Sequence, residues 1–136
     1  VWNNDPANNQ SSFTINNVTV ADAGDISVQV LSNSGCSGDT IVGLVVNTLP
    51  MPVLLNDSLC VGESITLNTG SNGSHLWSKG GQVITNGLGQ DASQNGTLTI
   101  TDASSTDAGI YNVIVINADN CSATTNMELW YLIIPL

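Results

Sequence analysis

Thr106-Asp107-Ala108-Gly109-Ile110-Tyr111-Asn112-Val113, continuing through Ile114-Val115-Ile116 to Cys121, carries more structural information than any other segment of this chain. Asp-Ala-Gly is a turn signal, because Asp bonds to nearby backbone and Gly reaches conformations closed to other residues. The alternating β-branched residues after it have the period of a strand with one buried face. One copy would be an ordinary turn before an ordinary strand, but there are two. With a shift of 85 residues Thr14-Ile15 falls on Thr99-Ile100, Asp22-Ala23-Gly24 on Asp107-Ala108-Gly109, Val28 on Val113, Val30 on Val115 and Cys36-Ser37 on Cys121-Ser122. The same shift carries Leu44 onto Leu129 and Pro50 onto Pro135. It needs no gap, so the period belongs to the whole chain.

Working outward, residues 13–20 alternate apolar and polar and are expected to form a strand. Residues 26–31 and 40–47 follow as two more, with Asn33-Ser34-Gly35-Cys36 as the loop between them. Leu49-Pro50-Met51-Pro52 closes the first repeat, since two prolines stiffen the joint and end ladder pairing. The domains are therefore placed at residues 1–49 and 50–136. In the second, strands are expected at 53–55, 64–68, 76–77, 83–84, 98–100, 110–116 and 127–133, and a loose loop over 87–96. Turns fall at Cys60-Val61-Gly62 and Gly70-Ser71-Asn72-Gly73. No segment has helical periodicity, and short runs between turn signals predict an all-β fold.

These residues carry a resemblance. Asp-x-Gly-x-Tyr-x-Val resembles the E–F corner and strand F of an immunoglobulin-like sandwich, where the tyrosine bonds back to the corner backbone. Cys-x-Gly-x-x-Ile-x-Leu (Cys60 to Leu67), then Trp77, then Asp107 to Val115, then Asn120-Cys121-Ser122-Ala123-Thr124, together resemble the tandem immunoglobulin-like and PKD-like repeats of Bacteroidota surface proteins. That family includes the giant adhesins that cells display and move for gliding. The resemblance implies antiparallel Greek-key β-sandwiches in tandem. It makes Asp107, Gly109 and Tyr111 the corner of the second repeat, Asp22 and Gly24 that of the first, and Trp77 the buried strand-C tryptophan. Trp2 is the candidate strand-C tryptophan of the first repeat, ten residues nearer its corner than Trp77 is.

In the same lettering, 13–20, 26–31 and 40–47 are strands E, F and G of the first repeat. In the second, 53–55 is A, 64–68 is B, 83–84 is C′ or D, 98–100 is E, 110–116 is F and 127–133 is G. A sandwich needs roughly 100 residues, so the second repeat is expected to be complete and the first incomplete, with its strands A and B lying upstream. Two positions depart from antibody domains: the inter-sheet disulfide sites fall at Thr69 and Val113, and Ile26 replaces the corner tyrosine in the first repeat.

Composition narrows the function. One lysine, no arginine and eleven acids give a net charge of −10, which removes the cationic footprint that phosphate-backbone binding needs and argues against nucleic acid. Surface polarity comes instead from 17 Asn and 28 Ser plus Thr. The chain has no run of eighteen apolar residues of the kind that spans a membrane as a helix, and residue 1 does not begin a signal peptide, so export is inferred from other features. His75 is the single histidine; a general base needs a nucleophile and an orienting acid, no motif supplies them, and an exposed loop histidine is expected. The chain is not expected to be an enzyme or to hold a cofactor. Calcium is weighed at carboxylates near Asp102, Asp107 and Asp119, although Asp-x-Asp-x-Asp loops are lacking. With no arginine to pair with, Asp22 and Asp107 are expected to accept backbone N–H bonds within their turns.

Cys36, Cys60 and Cys121 lie 24 and 61 residues apart with no Cys-x-x-Cys pair, which argues against zinc. In the implied topology the A–B turn and the F–G loop lie at opposite ends, so Cys60 and Cys121 are expected to be too distant to bond. The three are disulfide candidates across joints between repeats. Asp57-Ser58-Leu59 and Asp39-Thr40-Ile41 resemble the Asp-(Ser/Thr)-aliphatic site at which such bacteria O-glycosylate exported proteins, making Ser58 and Thr40 candidate acceptors. Asn-x-Ser/Thr sequons at Asn9, Asn17, Asn56, Asn72, Asn95 and Asn120 occur as this composition would produce them by chance.

The expected function is a structural and adhesive repeat of a large bacterial surface or secreted protein, an extracellular adhesin stalk whose partners are neighbouring repeats, surface glycans or other proteins. One alternative is an accessory domain of an extracellular enzyme, with Trp2 or Trp130 stacking on sugar. Another is a filament subunit whose first repeat is completed by a strand from another chain.

Overall fold

The β-branched runs become the ladder strands of two compact units, Val1–Thr48 and Leu49–Leu136. The computed structural model describes residues 1–3, 5, 7–85 and 96–133, and the backbone of 90–91. Pro135, the sequon at Asn95 and most of the expected loop at 87–96 lie outside the described residues.

In the second unit, β3 (Asp57–Cys60), β4 (Ile65–Asn68), β5 (Ser74–Lys79), β6 (Gln82–Val83), β7 (Gln90–Asp91), β8 (Thr97–Ile100), β9 (Gly109–Ile116) and β10 (Ser122–Leu132) form two sheets. One has the order β3-β10-β9-β5-β6 and the other β4-β8-β7. In strand letters these are A′-G-F-C-C′ and B-E-D. Their inner faces enclose the core: Leu59, Leu67, Trp77, Leu98, Ile100, Tyr111, Val113, Val115, Met127 and Leu129 are all buried. Burying such side chains is worth about 1.5–3 kcal/mol each. The buried residues of β9 are Tyr111, Val113 and Val115, alternating with exposed Ile110, Ile114 and Ile116, as a two-residue period demands.

The first unit has β1 (Gly24–Leu31) paired antiparallel with β2 (Ser37–Leu44). On the other side of β1, Trp2 bridges Val28, flanked by bonds from Asn3 N to Ser27 O (2.8 Å) and from Gln29 N to Val1 O (2.8 Å). In the second unit Trp77 sits opposite Val113, the residue 85 after Val28. The two tryptophans therefore occupy the same rung despite their different distance from the corner.

Several expected strand limits are corrected. Residues 13–20 form no ladder strand. In the second unit the equivalent strand, β8, is held by β4 on one side and β7 on the other; no described segment of the first unit offers 13–20 a partner. Residues 53–55 are likewise not a ladder strand. Val53 N donates to Thr69 O at 3.1 Å, and the chain then crosses to the other sheet, where β3 pairs parallel with β10. At the crossing the Asn56 side chain accepts the Glu128 N–H at 2.8 Å, standing in for a backbone rung. Both G strands start earlier than expected, at Ser37 and Ser122, because each tight F–G loop puts its closing residue straight into register, Leu31 with Ser37 and Ile116 with Ser122.

Candidate functional site

The E–F corner is built twice from the same parts. In the second unit a 3-10 turn, Ser105–Asp107, begins at Ser104. Asp107 Oδ2 accepts from the Ser104 N–H (2.9 Å) and hydroxyl (3.0 Å). In the first, the turn is Val20–Asp22, and Asp22 Oδ2 accepts from Thr19 N (2.7 Å) and Oγ1 (2.9 Å). The carboxylate thus satisfies donors at the head of each turn. These bonds, backbone first and hydroxyl second, hold the Asp22 carboxyl below its ordinary range. Gly24 and Gly109 follow at φ 135° and 138°, a left-handed region that side chains avoid.

Only the second corner is braced further. Tyr111 Oη donates to Asp107 O at 2.7 Å. Burial first, and the negative charge of Asp107 second, push the Tyr111 phenol up to about 12. Lys79, the single lysine of a chain without arginine, reaches from the end of β5 to donate to Thr106 O, its Nζ 5.4 Å from the Tyr111 ring centroid. Burial pushes the Lys79 ammonium down, and the Asp107 charge acts in the opposite direction. Nothing in the sequence pattern singles out Lys79, because its partners lie 27 or more residues away. The first corner has Ile26 in place of the tyrosine.

At the other end of the second unit lies a polar cluster that sequence reasoning missed. His75 is a half-buried strand residue, not an exposed loop residue. Its Nδ1 donates to Gly73 O at 3.0 Å, and its Nε2 lies 3.0 Å from the hydroxyl of buried Thr69. A carbonyl can only accept, so Nδ1 carries a proton and donates there. Thr69 Oγ1 in turn lies 3.3 Å from the donating Ser71 N–H. This arrangement closes the B–C loop.

Trp77 is buried against Val113, and its indole Nε1 has no hydrogen-bond partner. Trp2 stacks on Phe13 at 5.7 Å between ring centroids and donates Nε1 to Gln10 O at 3.0 Å. Trp130 is half exposed, across β3 from exposed Ser58; Thr40 is exposed on β2, opposite Val28.

The weighed calcium ligands do not come together: among the described residues no three His, Cys, Asp or Glu side chains converge. Asp102 and Asp107 belong to the corner end, whereas Asp119 sits in the F–G loop at the far end of β9. Cys36, Cys60 and Cys121 are all free thiols. No described helix is long and apolar enough to cross a membrane.

No family model matches the chain, and no curated protein matches it. Solved structures do. Drosophila OTK extracellular domains 3–5 match with a TM-score of 0.60 at 17% identity, over 86% of this chain and 42% of that one. The N-terminal eight Ig domains of Down Syndrome Cell Adhesion Molecule match at 0.59 and 22%, over 88% of this chain and 16% of that one. The Ig-like domain of human Leucine-rich repeat-containing protein 4 matches at 0.54 and 18%, over 70% of this chain and 97% of that one. The chain thus spans less than half the length of the first two. Together with the A′-G-F-C-C′ and B-E-D sheets, these likenesses identify the architecture of the chain as the immunoglobulin-like β-sandwich fold.

Proposed function

We propose that this chain is a non-catalytic structural and adhesive repeat module of a large bacterial cell-surface or secreted protein, part of an extracellular adhesin stalk. The observation that carries the reading is the gapless 85-residue period, which reproduces the Asp-Ala-Gly corner and the F–G loop in both units. A module repeated with its turn chemistry intact serves to extend a chain. Its titratable groups support this, since Asp22, Asp107, Tyr111, Lys79 and His75 are all engaged in closing turns. In this reading residues 1–49 are the later part of one repeat and 50–136 a full one.

The test is antibody labelling of the producing cells. Antibodies raised against residues 49–136 should label unpermeabilised cells, and the full-length coding sequence should contain further copies of the period. Labelling only after permeabilisation, or a coding sequence with no further copy, would overturn it. A carbohydrate-binding accessory role has one observation in its favour, half-exposed Trp130 beside Ser58. Loss of glycan retention in Trp130→Ala would support that role over the stalk.

A further inference from the structure

The free thiols are placed by the fold in a pattern. Cys36 and Cys121 occupy the same position in two F–G loops closed the same way. Cys36 N donates to Ser32 Oγ and Cys121 N to Asn117 Oδ1, both at 3.0 Å, while Ser32 N and Asn117 N donate back to the cysteine carbonyls at 2.8 and 3.0 Å. Residues 35 and 120, just before each cysteine, are left-handed at φ 85° and 60°. Cys60 is the last residue of β3, at the mouth of the turn that follows, where its N–H is held by Glu63 Oε2 at 2.9 Å.

The ladder register measures the distance between the two cysteines of the second unit. Cys60 stands opposite Leu132, the last residue of β10, and Cys121 precedes Ser122, its first. Eleven steps along the chain from Leu132 to Cys121 at about 3.3 Å put them roughly 36 Å apart, against a limit of about 7 Å between Cα atoms for a disulfide. They cannot pair within one unit.

Each cysteine instead marks one pole. The F–G loop shares its pole with the incoming chain, since Val53 bonds Thr69, Thr69 bonds His75, and β5 begins opposite Ile116. Cys60 shares its pole with the outgoing chain at Leu132. By the 85-residue period, position 53 of a following repeat would fall at 138, six residues beyond Leu132. Six residues span at most about 20 Å, so the F–G pole of a following repeat is tethered beside Cys60.

We infer that Cys60 forms a disulfide with the F–G loop cysteine of the next repeat, and that Cys36 and Cys121 each pair with the corresponding turn cysteine of the repeat before. The inference rests on the tandem-repeat reading. Each bridge forms by exchange with an external disulfide. The Cys60 thiolate attacks one sulfur of the oxidant and releases one thiol. The F–G thiolate then displaces the second thiol, so two cysteine thiols are oxidised as one disulfide is reduced to two thiols. A bridge at every joint limits bending of the array.

The test extends residues 1–134 with a second copy of residues 50–136, which preserves the period. One variant keeps only Cys60 of the first copy and Cys121 of the appended copy, the other cysteines being Ser. Its control keeps only Cys121 of the first copy and Cys60 of the appended copy. Both are equilibrated with oxidised and reduced glutathione and mapped without reduction. The joint pair should close within one molecule, at a glutathione ratio at least about 100-fold more reducing than any closure of the control. The control should retain two titratable thiols or glutathione adducts. A joint pair that stays open, or a control that closes as readily, overturns the inference. Cooperative unfolding of both copies, measured alongside, keeps that failure separate from failure of the repeat reading.

Discussion

The Tyr111 hydroxyl donates to the Asp107 carbonyl at 2.7 Å, tying the start of β9 to the turn that precedes it. The equivalent bond is absent from the first unit, where Ile26 stands in the tyrosine's place. Tyr111→Phe should therefore lower the stability of the second unit by about 1 kcal/mol, the usual net worth of such a bond. Urea unfolding followed by circular dichroism measures it.

The same residue gives an alkaline signature. The folded state raises the Tyr111 phenol to about 12 from its ordinary value of 10.0, so the neutral form is favoured by folding. That contribution is complete below pH 10, falls as pH rises from 10 to 12, and is gone above. The loss should be on the order of 2 kcal/mol. Tyr111→Phe should flatten this segment of the stability profile; an unchanged profile would mean that the phenol is not the titrating group.

Trp77→Ala should cost about 3–5 kcal/mol, as large-to-small changes of buried aromatics do. Trp77→Phe should cost much less, roughly 1–2 kcal/mol, because it also removes a buried N–H that has no partner. With Trp2 and Trp130 replaced, Trp77 fluorescence should be that of a buried indole and should shift to the red only on unfolding.

Gly73 faces a backbone. A Cβ there would lie 2.3 Å from Ile116 O, at φ +129°, so β5 and β9 could not keep their opening rung. Gly73→Ala should lose at least about 2 kcal/mol. Gly70→Ala, at φ +63° with nothing within 4 Å, should lose only the left-handed penalty of about 1–2 kcal/mol. Thermal unfolding of the two variants separates collision from conformational strain.

Where local chemistry decides structure, the sequence could be read directly. Asp-Ala-Gly with a hydroxyl residue three positions before the Asp builds its corner from neighbours only, and the alternation after it sets which residues of β9 face inward. What depends on distant partners was not legible. Residues 13–20 have strand periodicity but no ladder, because a strand is defined by the edge it joins. The crossing at Asn56 depends on Glu128, 72 residues away. His75 reads as a loop residue until Thr69 and Gly73 close around it, and Lys79 reads as an ordinary surface lysine until the corner comes within its reach.

We expect one sequence pattern to close a core only where strands A′ and B are present. Positions related by the 85-residue period already differ in the structure: Val30 is 64% exposed and Val115 0%, Val42 56% and Met127 1%. The second unit has Leu59 on β3 and Leu67 on β4 to cover its sheet, and no described segment plays that part in the first. Native-state amide hydrogen exchange on the whole chain tests this most directly. Val113 and Val115 should exchange only through global unfolding of their unit, and Val28 and Val30 at least about 100-fold faster. Equal protection at the two sets of positions would contradict the account.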